Sequence, residues 1–396
     1  MPTLDKTKVL ELGQLIAGPF CGQILADFGA EVIKIEPPER GDAMRQWGRT
    51  DAEGNTMWWS VLGRNKQSIT LDLRKAAGQE IVRQLVRDTD ILIENFRVGT
   101  MEGWGLGWKE LSEINPRLIM VRITGFGQTG PYAARAGFAS VCEAMGGLRF
   151  VCGYPDRPPV RAGISIGDSL AGVYGALGAL LALQYRERTG RGQVVDASIF
   201  ESVLAMMEGV VAEYDRAGHI RERSGSTLPG IAPSNAYPTR DGTGIVIGAN
   251  QDTVFQRLCE AMGQPELAGD SRFNSHRARG ERQVELDELI SEWTRTRNAE
   301  ELVGLLAACG VPAGLVYRAP EMLSDPHFKA RDSIIRVNDP RFGAIAMQNA
   351  FPRMSESPGQ VLRGGPLLGE HTDKVLRERL GFNDEKIELL QQEQVI

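Results

Sequence analysis

The stretch VLELGQLIAGPFCGQILADFGAEVIKI, residues 9–35, decides the fold class of this chain. Its apolar runs at 9–12 and 32–35 predict two buried strands, and residues 19–28 predict a helix that has Pro19 in its first turn. Parallel strands need such a crossover, so the stretch predicts a βαβ unit. The loop at 13–18 lacks the G-x-G-x-x-G spacing and therefore gives no indication of a dinucleotide site.

The alternation of strands and helices continues beyond this unit. Further strands are predicted at 69–73, 91–94, 118–123 and 192–198, with helices at 76–87 and 199–214. This order predicts an α/β fold with an open, mostly parallel, Rossmann-like sheet. In such sheets ligands bind at the carboxyl ends of the strands.

After a polar segment at 216–226 the pattern changes. A hairpin is predicted at 237–247, and charged amphipathic helices follow from 253 to 308. We therefore expect a large Rossmann-like domain over 1–227, a small α+β domain over 228–320, and a proline-punctuated segment over 321–396 that returns to the large domain.

Composition excludes several classes of protein. The 45 basic and 51 acidic residues give a net charge of −6, which does not favour a nucleic-acid or membrane-surface partner. The five cysteines form no C-x-x-C pair, as expected in a reducing cytosol, and the first residues do not resemble a signal peptide. These two observations predict a cytoplasmic protein. The four histidines stand in no metal-binding pattern, so we expect no bound metal.

The segment Arg161–Gly172 carries the strongest chemical signal. Its apolar run at 164–166 predicts a short strand, Gly-Asp-Ser at 167–169 a turn, and the residues up to about 186 a long helix. Asp168 would then lie where the helix dipole favours an anion. A carboxylate there is either a helix cap, the commoner role, or a nucleophile towards an activated acyl group such as a thioester, and local sequence leaves both open.

Several motifs in order resemble those of the formyl-CoA transferase and carnitine CoA-transferase family, known as class III CoA-transferases. The succinyl-CoA:glutarate CoA-transferase-like group is the most similar. The matching stretches are AGP at 17–19, GAEVIKIE at 29–36, NKQSI at 65–69, ENFR at 94–97, GFGQTGP at 125–131, GDS at 167–169, TGRG at 189–192 and GEHT at 369–372.

The resemblance implies an activity and a set of site residues. It makes Asp168 the nucleophile, which forms a mixed anhydride with the acyl group and then an aspartyl-CoA thioester. Coenzyme A is thus a substrate, and no separate cofactor is expected. The resemblance places CoA beside Ala17, Leu71, Arg74, Asn95, Phe96 and Arg97, with Arg40 as the candidate replacement for a family arginine at the position of Pro37.

The substrate pocket implied by the resemblance comprises Ile16, Trp58, Phe138, Gly248 and Asn250. Ile16 stands where formyl-CoA transferase has a glutamine, and residues 248–251 replace its tetra-glycine loop, which argues against formate and oxalate as substrates. Phe138 stands at the position of the histidine that related acyl-CoA racemases use as a second base.

The resemblance thus predicts an enzyme that moves CoA from an acyl-CoA, such as succinyl-CoA, to a small carboxylic acid, with dicarboxylates as the expected class. It also implies an interlocked homodimer, since family members thread two chains through one another. The alternatives are an acyl-CoA racemase or isomerase of the same family, and a non-enzymatic protein that binds acyl-CoA.

Overall fold

The computed structural model describes all residues, Met1–Ile396. The chain forms two compact units. The first contains residues 1–149, 161–218 and 330–396, and the second contains residues 150–160 and 219–329. The sequence analysis placed the limits of the small domain at 228 and 320, inside the second unit.

The first unit is built on a six-stranded sheet. Every neighbouring pair in it is parallel, and the strand order is β3-β2-β1-β4-β5-β6. The strands are β1 Lys8–Glu11, β2 Glu31–Glu36, β3 Gln67–Thr70, β4 Ile91–Glu94, β5 Ile119–Thr124 and β6 Val194–Ser198. The order reverses between β1 and β4, which is the position where open α/β sheets bind ligands. The prediction of a parallel, Rossmann-like sheet is confirmed.

Ten helices precede the strands of the second unit. They are α1 Ala17–Asp27, α2 Met57–Leu62, α3 Ala76–Val86, α4 Thr100–Gly103, α5 Trp108–Ile114, α6 Ala139–Met145, α7 Leu148–Val151, α8 Ile166–Thr189, α9 Ile199–Leu204 and α10 Val210–Ala217. A short 3₁₀ helix spans Ala43–Gln46.

Both faces of the sheet are buried because successive strand residues point to opposite sides. On β4, Ile93 joins a core with the inner face of α8, whereas its neighbour Leu92 joins the core that contains α3. Strands buried on both faces read as continuous apolar runs, which is why the pattern of residues 9–35 predicted this part of the fold.

Helix α8 packs closely on α1 because its contact face carries small residues. A side chain at Gly172 would approach the carbonyl oxygen of Ala17 to 2.9 Å, and one at Gly175 would approach Cys21 Sγ to 3.3 Å. The close packing brings the first turn of α8 next to the loop that follows β1. By length and composition α8 could also cross a membrane, but one such helix is weak evidence, because a soluble protein's core helix passes the same test.

The second unit has its own sheet and core. Strands β7 Ser234–Tyr237, β8 Ile245–Gly248 and β9 Ala313–Leu315 form an antiparallel sheet. Six helices follow β8 in the chain: α11 Asp252–Met262, α12 His276–Glu281, α13 Gln283–Thr294, α14 Ala299–Ala308, α15 Ala319–Ser324 and α16 Pro326–Ala330, with a 3₁₀ helix at Pro265–Ala268. Buried residues of β8, α11, α13 and α14 share one apolar cluster.

The last part of the chain belongs to the first unit. It contains the antiparallel pair β10 Ile334–Asp339 and β11 Gly343–Gln348, then α17 Thr372–Leu380 and α18 Asp384–Gln392. Val375, Leu376 and Leu390 of the two helices enter the core beside Leu10 and Leu92 of the central sheet.

Three local predictions were wrong. Residues 164–166 form no strand: α8 already begins at Ile166, with Ser165 as its N-cap. Asp168 is therefore the third residue of the helix and not its cap. The helix predicted over 199–214 is two helices, α9 and α10, and β3 ends at Thr70, three residues before the predicted end.

Candidate active site

Asp168 lines a pocket at the carboxyl ends of β4 and β5, within the first unit. This Asp168 pocket has a volume of about 140 Å³ and includes the first turn of α1, the segment after β4 and the loop after β5. The sequence-predicted residues that line it with Asp168 are Ile16, Ala17, Asn95, Phe96, Arg97 and Phe138. Residues far apart in sequence are thus brought together around one half-buried carboxylate.

The surroundings of Asp168 disfavour its charged form. Burial, followed by the nearby charge of Glu143, raises the pKa of Asp168 from 3.8 to about 6, and Arg161 opposes these effects. At neutral pH the group is still mostly an anion, but an anion that is poorly solvated. Such a carboxylate needs no base to act as a nucleophile.

Glu143, on α6, binds the backbone of the helix turn that carries Asp168. It is buried, and its Oε1 accepts a hydrogen bond from the backbone N–H of Gly167 at 3.1 Å. A Cβ at residue 167 would lie 2.9 Å from Glu143 Cγ, so the glycine allows this approach. Arg149 Nε lies 3.4 Å from Glu143 Oε2. Sequence reasoning missed Glu143, because nothing local distinguishes it from an ordinary helix glutamate.

Asn95 holds the loop after β1 in place. Its Oδ1 accepts from the N–H of Gln14 at 2.7 Å, and its Nδ2 donates to the carbonyl of Gln14 at 2.8 Å. Gly13 and Gly18 make room for it, since a Cβ on Gly13 would lie 3.1 Å from Asn95 Oδ1. The amide is thus engaged with the backbone, and its position shapes the wall of the Asp168 pocket.

A second pocket contains the other proposed CoA contacts. This Leu71 pocket, of about 470 Å³, lies at the ends of β2 and β3 and is lined in part by Arg40, Leu71, Arg74 and Phe96. Phe96 also lines the Asp168 pocket, so the two adjoin. Leu71 is buried, and Arg74 forms a two-point pair with Asp72, Nε–Oδ1 2.9 Å and Nη2–Oδ2 2.9 Å.

Two of the proposed phosphate-binding arginines have no carboxylate partner in the protein. Arg40 and Arg97 are exposed at the ends of β2 and β4. Their guanidinium N–H groups can therefore donate hydrogen bonds to phosphate oxygens without first breaking an ion pair.

A third pocket adjoins the Asp168 pocket on another side. This Trp58 pocket, of about 520 Å³, shares Ile16 and Trp47 with it and includes the predicted Trp58. Arg161, Ser165 and Ser169 also line it, and sequence reasoning gave none of these three a role. The remaining predicted residues, Gly248 and Asn250, belong to the second unit, where the Asn250 carbonyl accepts from Arg279 Nη2 at 2.7 Å.

A set of buried ion pairs lies next to the loop between β1 and α1, which borders the Asp168 pocket. Lys34 Nζ lies 3.3 Å from Glu11 Oε1 and 2.8 Å from Asp42 Oδ2, while Lys66 Nζ lies 2.8 Å from Glu11 Oε2. Asp42 in turn accepts from the N–H of Leu15 at 2.9 Å. Burial disfavours the charged form of Lys34, but the attraction of Asp42, Glu11 and Glu36 together outweighs burial and raises the pKa of Lys34. Through the hydrogen bond between Asp42 and Leu15, these buried charges hold the loop before Ile16 in place. No sequence pattern predicted them.

The described structure contains no group of three or more His, Cys, Asp or Glu side chains arranged to hold a metal ion. The Asp168 pocket offers the carboxylate of Asp168 and the guanidinium groups of Arg97 and Arg135, which can bind anionic ligands.

Comparisons with known proteins agree with the geometry. The model of CoA-transferase family III matches residues 4–372. The succinyl-CoA–D-citramalate CoA-transferase of Chloroflexus aurantiacus is 59% identical over 393 residues, which cover 99% of this chain and 98% of the relative. The succinate–glutarate CoA-transferase of Agrobacterium fabrum is 36% identical, covering 95% of this chain and 96% of the relative.

The fold agrees with a solved structure as well. A CAIB/BAIF family protein from Brucella suis superimposes with a TM-score of 0.85 at 37% identity, covering 96% of this chain and 99% of that one. The resemblance stated from the sequence motifs is confirmed: the chain belongs to CoA-transferase family III, and it is a CoA-transferase.

Proposed function

We propose that this enzyme transfers CoA from succinyl-CoA to a small dicarboxylic acid through covalent intermediates on Asp168. The observation that carries the proposal is the half-buried Asp168 carboxylate, which lies in a pocket at the strand ends beside the residues proposed for CoA. The similar proteins named above act, by their names, on succinyl-CoA or succinate with citramalate or glutarate.

The chemistry proceeds in four displacements that balance without a cofactor. An oxygen of Asp168 attacks the thioester carbon, and CoA leaves as a thiolate, which gives a mixed anhydride. The thiolate attacks the Asp168 carbonyl and releases the donor acid, which leaves the aspartyl-CoA thioester. The acceptor carboxylate attacks that thioester, and the released thiolate then attacks the acceptor carbonyl and frees Asp168.

The environment of Asp168 suits both stages of this cycle. As a weakly solvated anion it is a better nucleophile than a carboxylate in water. As a thioester or anhydride it is neutral, so burial and the repulsion by Glu143 no longer act against it. Asp168 lies in the first turn of α8, where the positive end of the helix dipole would stabilise negative charge that develops on the reacting groups.

The Leu71 pocket is the proposed site of the nucleotide part of CoA. Arg40, Arg74 and Arg97 would bind its phosphates, and Leu71, Phe96 and Asn95 would lie beside the adenosine. Ala17 would flank the pantetheine arm on its way to Asp168. Phe138 lies in the Asp168 pocket where a racemase would need an imidazole, so the pocket lacks the second base of that mechanism.

A homodimer is part of the proposal. Several apolar side chains of α8 are exposed in the single chain, among them Leu177, Leu181 (63% exposed) and Tyr185. Covering this face with a second copy would remove apolar surface from water. A cytoplasmic location and the absence of a metal or separate cofactor are also proposed.

The test is transfer activity combined with the mass of the protein. The purified enzyme is mixed with succinyl-CoA and a panel of mono- and dicarboxylates, and new thioesters are identified by mass. Intact-protein and peptide mass spectrometry then locate any CoA adduct. We expect new dicarboxylyl-CoA products and an adduct on Asp168. Full activity of Asp168→Ala, or turnover without an adduct in any quench, would refute the mechanism.

A further inference from the structure

The Trp58 pocket combines an apolar wall with one isolated cation. Met57, Trp58, Val61 and Leu62 contribute apolar side chains from α2, and Phe20 contributes one from α1. Its polar side is formed by Arg161, by Ser165 and Ser169, which lie on either side of Asp168 in the chain, and by Gln23 and Gln348. A ligand with a carboxylate at the end of a short hydrocarbon chain would match this pocket, with the carboxylate on the polar side and the chain against the apolar wall.

The pocket is next to the nucleophile. It shares Ile16 and Trp47 with the Asp168 pocket, and Ser165 and Ser169 belong to the same turn of α8 as Asp168. The charge of Arg161 is near enough to oppose the rise in the pKa of Asp168. A substrate with one carboxyl group at Asp168 and a second a few carbons away would therefore place the second near Arg161.

Arg161 is free to bind an anion. Its Nη2 donates to Ser165 Oγ at 3.1 Å, and its guanidinium takes part in no ion pair. The other arginines of the Asp168 pocket differ: Arg135 lies over the ring of Tyr132 at 3.6 Å, and Arg97 follows Phe96, which also lines the Leu71 pocket where CoA is proposed to bind.

We propose that Arg161, with Ser165 and Ser169, binds the distal carboxylate of the dicarboxylate substrate, while Trp58 and Met57 contact its carbon chain and any methyl branch. The guanidinium offers several donors in one plane, which can bind both oxygens of a carboxylate. A monocarboxylate of the same length would leave these donors without a partner. This inference rests on the function proposed above and names the residues that select its acid.

The experiment compares two acceptors of the same shape, glutarate and its monoamide, whose distal group is neutral. kcat/KM is measured for each with saturating acyl-CoA donor, in the wild type, in Arg161→Gln and in Arg161→Lys. Arg87→Gln, which changes an exposed arginine directly after α3 that takes part in no ion pair, is the matched control. All variants are checked for folding by thermal melting.

We expect the wild type to prefer glutarate and Arg161→Gln to lose that preference. Its kcat/KM for glutarate should fall about 10- to 100-fold, the usual loss for a charge-assisted hydrogen bond, while the value for the monoamide changes little. The kcat/KM of Arg161→Lys for glutarate should fall between the values of the wild type and of Arg161→Gln, and Arg87→Gln should match the wild type.

Two results would overturn the inference. One is an unchanged kcat/KM of Arg161→Gln for both acids, and the other is an equal fold-loss of kcat/KM with both acids, because either leaves the ratio of glutarate to monoamide activity unchanged. Either would leave the proposed transfer reaction standing, because the wild type would still form CoA thioesters. A wild type that forms no thioester with any acid would instead refute the proposed function itself.

Discussion

Replacing Asp168 by Asn should make the folded protein more stable at neutral pH while abolishing CoA transfer. The folded pKa of about 6 exceeds the ordinary value of 3.8, so the folded state holds the Asp168 proton more tightly than the unfolded chain does. The protonated carboxyl is thus compatible with folding, and the contribution of this group to stability falls as pH rises from about 4 to 6. The neutral amide of the variant avoids that loss.

The size of the effect follows from the shift. The rise from 3.8 to about 6, at about 1.4 kcal/mol per pH unit, gives an upper value of about 3 kcal/mol at pH 8. Because the side chain keeps some contact with water, we expect about 1–3 kcal/mol, and about half of the difference should remain at pH 5. For a chain of this size the melting temperature should rise by roughly 1–4 °C.

The assay is thermal unfolding of the wild type and of Asp168→Asn in parallel, from pH 5 to pH 8. Other titrating groups are common to both proteins, so the difference between the two melting curves isolates Asp168. We expect this difference to favour the variant and to grow with pH. A difference that is absent, or that shrinks as pH rises, would show that Asp168 is not held as a destabilised anion.

Four further changes test other parts of the site. Glu143→Gln keeps the acceptor for the Gly167 N–H and removes a negative charge, so the acid limb of kcat/KM against pH should move to lower pH; a limb that stays in place would contradict the role of that charge. Lys34→Met removes the positive charge between the buried Glu11 and Asp42 carboxylates and should lower the free energy of unfolding, measured in urea, by about 3–5 kcal/mol. A change below about 1 kcal/mol would contradict a stabilising role for these buried ion pairs. Asn95→Ala frees the Gln14 backbone and should raise KM for acyl-CoA with a smaller effect on melting temperature; an unchanged KM would show that the loop is held by other contacts. Leu181→Asp on the exposed face of α8 should shift the sedimentation coefficient toward a monomer, and an unaltered dimer would place the interface elsewhere.

The central sheet was predictable from sequence because its signal is local. Residues such as Leu92 and Ile93 are buried on opposite faces, so each parallel strand appears as a continuous apolar run. The hairpin of β10 and β11 and the last helix α18 were missed: the two strands are only six residues long, and the prolines at 326, 340, 352 and 358 suggested a segment with few regular elements. The start of α8 was misjudged because Ile164 and Ile166 fit a strand as well as the first turn of a helix.

The candidate site was predictable in part. The family motifs led to Asp168, Asn95 and Phe96, which the fold brings to one edge of the sheet. Glu143 and Arg161 could not be identified in that way, because their roles depend on tertiary proximity to Asp168. The buried ion pairs of Lys34 with Glu11 and Asp42 could not be predicted for the same reason. The three residues lie on different segments of the chain, and only the fold brings them into contact.

The central claim is that Asp168 exchanges an oxygen atom with the substrates, and an isotope measures this directly. Turnover with an acceptor acid that carries heavy oxygen in its carboxylate should transfer one labelled atom to Asp168, because the bridging oxygen of the second anhydride stays with the enzyme when the thiolate attacks the acceptor carbonyl. After many turnovers, mass spectrometry of the peptide that contains Asp168 should show heavy oxygen in that side chain. Multiple turnovers that leave Asp168 unlabelled would contradict the account.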